Sequence, residues 1–100
     1  MGFHMGIVET IEAVERGSGL SNPVRSFTNG GCLWLAKELK RRFPEGEIVH
    51  LPEFERFVFE LDGKLYDATG NASRTYRNAR RVPLADVPEK ILSGYDASFA

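Results

Sequence analysis

The run Cys32-Leu33-Trp34-Leu35-Ala36-Lys37-Glu38-Leu39-Lys40-Arg41-Arg42-Phe43, and after it Phe54-Glu55-Arg56-Phe57-Val58-Phe59-Glu60-Leu61-Asp62-Gly63-Lys64-Leu65-Tyr66-Asp67-Ala68, decide the fold. In the first, Ala36, Leu39 and Phe43 follow Cys32 at offsets of four, seven and eleven, while Lys37, Glu38, Lys40, Arg41 and Arg42 fall opposite. That is the spacing of an amphipathic helix. Thr28 or Asn29 is expected to cap its start, Gly30-Gly31 permits a close bend, and Pro44-Glu45-Gly46 ends it. In the second run Phe57, Phe59 and Leu61 alternate with Arg56, Val58 and Glu60, and Asp62-Gly63 signals a two-residue hairpin turn. Such a turn sets Leu61 opposite Lys64 and Val58 opposite Asp67, with Arg56 diagonal to Asp67 on one sheet face.

Upstream, Ile7, Ile11 and Val14 predict a first helix through about Arg16, which Gly17-Ser18-Gly19 terminates. Ser21-Asn22-Pro23 reads as irregular connection. Glu47 to Leu51 is expected to be a short strand. Downstream, Gly70-Asn71-Ala72-Ser73 breaks the sheet pattern, and Arg74, Arg77, Arg80 and Arg81 surround Tyr76 in a basic lobe. Asp86 is placed to cap a short helix with Pro88 near its start, and the tail from Ser93 is expected to fray. The expected class is α+β, with an N-terminal helix, a cysteine-bearing helix and a small antiparallel sheet.

The chain has 100 residues and 42% hydrophobic content, enough for one core. A single domain over residues 6–100 is expected, with residues 1–5 a tag or disordered start. Lys plus Arg number 13 against 14 Asp plus Glu, so bulk charge draws the chain to neither nucleic acid nor an acidic membrane. One cysteine excludes an intrachain disulfide, and Cys32, His4 and His50 cannot complete a four-ligand zinc site. No metal is expected. The glycine-rich segment lacks a phosphate-binding or dinucleotide pattern, so no cofactor is expected either. Without a signal peptide or an apolar run of about 20 residues, the expected setting is cytoplasmic, with no membrane partner.

Cys32 opens a helix behind two glycines, where exposed amides favour a thiolate. The segment Asn29 to Leu39, followed by Phe57 to Gly70, resembles the papain-like or transglutaminase-like cysteine hydrolase superfamily. The resemblance implies a minimal papain-like core in a compact and degenerate member. It implies Cys32 as nucleophile, a histidine at the start of the central strand as base, and Asp67 as the acid that orients it. Arg56 stands where that histidine is expected, and a permanently protonated guanidinium cannot take the thiol proton. Whether the chain is an enzyme is therefore left open, with inactivity favoured.

The function expected from this resemblance is a noncatalytic protein-binding, inhibitory or regulatory module. The alternative is a thiol peptidase, deamidase or acyltransferase in which His50, displaced from the usual position, serves Cys32 and Asp67. An Arg56–Asp67 charge pair across the hairpin would preserve the cleft. Asn29, Gly31, Trp34, Arg56, Tyr66, Arg74, Tyr76 and Arg77 are the candidate cleft or partner residues. A protein partner is the first expectation. Nucleic acid is the secondary one, with Tyr76 stacking among the arginines. The chain is expected to be a monomer or weak homo-oligomer.

Overall fold

The structure, a computed structural model, describes residues 6–28 and 30–99. The expected tag at 1–5 and the cleft or capping role of Asn29 fall outside these residues. Helix α1 spans Ile7–Gly17 and turns Ile11 and Val14 inward, as its apolar spacing predicts, with Thr10 buried beside them. A second helix, α2, covers Pro23–Thr28, where the sequence reads as irregular connection. Pro23 sits at its first position, where a missing N–H costs nothing, and the Asn22 side chain accepts the Arg25 amide at 3.2 Å. That capping signal is local, whereas the hydrophobic pattern is too short to show period.

Helix α3 spans Cys32–Arg42. Its N-cap is Gly31, which has no side-chain cap hydrogen bond. Gly31 instead donates its amide to the Ser26 carbonyl at 2.8 Å, which ties the end of α2 to the start of α3. At the other end Lys40 Nζ donates to the carbonyls of Pro44 and Gly46 at 2.7 and 2.6 Å, closing the turn into the sheet.

The sheet holds β1 (Glu47–Leu51), β2 (Arg56–Leu61), β3 (Lys64–Asp67), β4 (Gly70–Asn71) and β5 (Val82–Pro83), in the order β4-β3-β2-β1-β5 with antiparallel neighbours. Leu61 opposes Lys64 as the hairpin turn demands, and the β2–β3 ladder continues to Phe59 and Tyr66. Pro52–Phe54 forms a single 3-10 turn between β1 and β2, and Glu55 takes a left-handed φ of 52° to enter the strand. Proline cannot donate to a ladder, so the chain turns there. Helix α4 covers Glu89–Phe99, running through the tail that was expected to fray. Asp86 belongs to a preceding 3-10 turn, Leu84–Asp86, and does not cap α4.

Apolar side chains divide by strand parity. Phe57 and Phe59 join Ile11, Leu33, Leu39 and Ile48 beneath the helices. Val58 joins Val49, Leu51, Leu65, Ala72 and Tyr76 on the opposite face. Each fully buried Phe or Leu contributes about 1.5–3 kcal/mol. The sheet is thus covered on both faces, by helices on one and by the segment after β4 on the other.

Candidate functional site

Cys32 is 3% exposed, and its Sγ accepts the Phe57 amide at 3.3 Å. Burial pushes the thiol above its ordinary range, against the smaller opposing pulls of the Phe57 amide and the Arg56 charge. A protonated, enclosed thiol is a poor nucleophile. The helix start that promises a thiolate in sequence is offset here by desolvation.

Asp67 ends β3, and its Oδ1 accepts both the Thr69 amide at 2.8 Å and the Thr69 hydroxyl at 2.5 Å. Gly70, at φ 104°, supplies a backbone conformation that L side chains rarely adopt and lets β4 pair back onto Tyr66 and Asp67. Ser73 Oγ then accepts the Leu65 amide at 2.9 Å, and the Tyr76 amide reaches the Ala72 carbonyl at 3.2 Å. This sequence of short bonds carries Tyr76 under the sheet, where it is 1% exposed.

There the Tyr76 hydroxyl donates to Asp67 Oδ2 at 2.8 Å and accepts Arg56 Nη1 at 2.9 Å. Arg56 and Asp67 therefore meet through a phenol and not as the direct pair expected across the hairpin. Burial works against the Arg56 charge, yet the Tyr76 hydroxyl and the nearby Asp67 carry its pKa above the ordinary value. Burial likewise raises the Tyr76 phenol. The Arg56 Nε is enclosed with no hydrogen-bond partner among the described residues.

Arg56 also lines a cleft of about 750 Å³ between the Pro52–Phe54 turn and α4, together with His50, Phe54, Lys90 and Tyr95. Gly30, Glu55, Ile91 and Gly94 complete its edge. The His50 ring packs 4.7 Å from Phe57 and 6.4 Å from Tyr95, centroid to centroid. Burial and the Arg80 charge hold the imidazole below the usual histidine range. Tyr95 donates to the Glu55 carbonyl, and burial pushes its phenol up to about 12.

The three residues expected to cooperate in catalysis are placed apart in function. His50 pairs with Phe57 in the β1–β2 ladder and Leu51 opposes Arg56, so the imidazole does not stand across from the position where the resemblance expects a histidine. Cys32 and Asp67 border one narrow void with Phe27 and Tyr66. Both Asp67 oxygens, however, are committed to Thr69 and Tyr76 and not to the imidazole. Among the described residues no group of three His, Cys, Asp or Glu side chains could hold a metal ion.

Of the remaining candidates, Trp34 stacks on Phe27 at 5.3 Å, and Tyr66 is buried opposite Phe59. Gly31 is buried at the turn into α3. Arg74 and Arg77 line a second cavity of about 240 Å³, beside Phe54. Tyr76 is no stacking platform, because it is buried. The sequence reading missed Lys90, Ile91 and Tyr95; the i, i+4 spacing of Ile91 and Tyr95 is the signal that would have found them.

Residues 2–99, which contain every element described above, match the family of Phage YunG-like proteins. The chain belongs to that family. No curated protein and no solved structure matches it. Membership in the Phage YunG-like family overturns the papain-like or transglutaminase-like resemblance and, with it, the minimal papain-like core. Among the described residues the fold is instead a small α+β arrangement of four α-helices and a five-stranded open sheet.

The misleading residues have local explanations. Gly31 closes the turn into α3, Cys32 fills a buried site as a small apolar group, and Asp67-Ala68-Thr69-Gly70 builds the return into β4. A module on a degenerate hydrolase scaffold and a thiol hydrolase served by His50 both fall with the resemblance. Among the described residues of this Phage YunG-like protein no helix is long and apolar enough to cross a membrane.

Proposed function

We propose that the cleft beneath α4 binds a small organic anion carrying a flat ring, and that it does so without bond cleavage. The carrying observation is Arg56, which lines the cleft while its guanidinium is fixed from behind by the Tyr76 hydroxyl. A cation pre-positioned in this way loses little conformational freedom on binding an anion. Lys90 adds a second charge, and Phe54, His50 and Tyr95 offer apolar and ring surfaces. About 750 Å³ lies within the size range of small-molecule sites. Cys32 is enclosed and does not line this cleft, so its thiol is no nucleophile for an anion bound there.

Phenyl phosphate provides the test, with phenol as the uncharged comparison, in an amide and arginine Nε–H NMR titration. The expected result is saturable shifts at Gly30, Gly94, Tyr95 and the Arg56 Nε–H with phenyl phosphate and not with phenol. Arg56→Gln should weaken binding at least about tenfold, and the exposed Lys90→Gln about threefold, as charge-assisted contacts are lost. Non-saturating shifts, or equal affinity in both variants, would overturn the reading.

A further inference from the structure

Phe54 lines both cavities, and the residue is 40% exposed. It stands edge-on to Tyr76 at 4.9 Å and 79°, so one of the few exposed large apolar side chains is held in a fixed orientation by a buried one. The 3-10 turn Pro52–Phe54 and the left-handed Glu55 lift it from the sheet. Arg56 and Lys90 lie on its cleft side, and the exposed Arg74 and Arg77 lie in the second cavity beyond it.

We infer that this surface binds single-stranded nucleic acid, with a base stacked on Phe54 and phosphates held by Arg74 and Arg77 on one side and by Arg56 and Lys90 on the other. An exposed aromatic between cationic grooves is the arrangement that suits a strand whose flat bases alternate with charged links. It rests in part on the cleft's capacity for an anion, proposed above, and names the class of that anion. Glu53 and Glu55 border the same two cavities, but the Glu53 carboxylate is turned to the Arg80 amide at 3.2 Å. Four cations therefore face two carboxylates there, although the whole chain carries a formal charge of -1. Thr75 and Asn78 add neutral hydrogen-bonding groups beside Arg74 and Arg77.

Fluorescence anisotropy with a labelled oligothymidylate of about eight nucleotides tests the inference on the full chain. Binding should weaken as salt rises, because phosphate contacts release counterions. Phe54→Ala should lower affinity about tenfold or more, the loss of one stacked base. The double variant R74Q/R77Q should weaken binding and flatten its salt dependence, while far-ultraviolet circular dichroism stays unchanged because these side chains are exposed. No binding at low salt, salt-independent binding, or undiminished binding by Phe54→Ala would overturn the inference. Tighter binding of a phosphotyrosine peptide than of the oligonucleotide would also overturn it. Phenyl phosphate titrated into the unsubstituted chain keeps the two readings separable: saturation there with no oligonucleotide binding removes the nucleic-acid inference and leaves the anion cleft standing.

Discussion

The Tyr76 hydroxyl donates to Asp67 Oδ2 at 2.8 Å, deep under the sheet and nine residues along the chain. Because the same oxygen accepts from Arg56, a single atom joins a carboxylate to a guanidinium that borders the cleft. Removing that atom leaves two polar groups without their partner.

Tyr76→Phe is accordingly expected to lower the unfolding free energy by about 1–3 kcal/mol, the cost of unsatisfied buried polar groups. Urea titration measures it. A change below about 0.5 kcal/mol would mean that solvent or a rearranged Arg56 replaces the phenol without loss.

His50 links stability to pH. Burial and Arg80 hold its folded pKa below the usual value, so the unfolded chain takes up a proton first as the medium is acidified. The contribution of the neutral ring is fully present above the ordinary histidine pKa and is lost as pH falls below it. Urea midpoints between about pH 5 and 8 should fall more steeply toward acid for the wild type than for His50→Gln. Parallel profiles would remove His50 as the cause.

Cys32 should resist alkylation in the folded chain. Burial both encloses the sulfur and raises its pKa, so iodoacetamide labelling is expected to be slow at neutral pH and to accelerate sharply on addition of urea. Equal rates in folded and unfolded protein would contradict the enclosure. Cys32→Ala should cost about 1 kcal/mol from the lost apolar volume.

Gly46 is a position where the fold tolerates no side chain. A Cβ there would come within 2.2 Å of the Phe59 ring and 2.8 Å of the Glu60 carbonyl. Gly46→Ala is expected to destabilise by about 1–3 kcal/mol, the range for overpacking, with thermal unfolding as the readout. An unchanged melting temperature would show that Phe59 moves aside freely.

Much of the architecture is legible where hydrophobic period and turn chemistry agree. Ile7, Ile11 and Val14 mark α1, Cys32 to Phe43 mark α3, and Asp62-Gly63 fixes the facing of Leu61 and Lys64. Helix α2 escapes because six residues give too little period, and β4 and β5 because two residues each give no alternation. At the site, Arg56, Asp67 and Tyr76 all stand out in the sequence, but the placement of the phenol between the two charges does not. Its position depends on the turn from Asn71 to Tyr76, where Asn71 Oδ1 accepts the Ser73 amide at 3.0 Å. The hydrolase resemblance fails for a related reason: a glycine before a helix and an Asp-x-Thr-Gly after a hairpin meet local backbone needs that many folds share.

The sheet's outermost strands, Gly70–Asn71 and Val82–Pro83, are each only two residues long, and the second ends in a residue without an amide hydrogen. Neither border offers a foreign strand a length of unpaired backbone on which to zip, so the molecule carries its own guard against edge-to-edge aggregation when many copies crowd together.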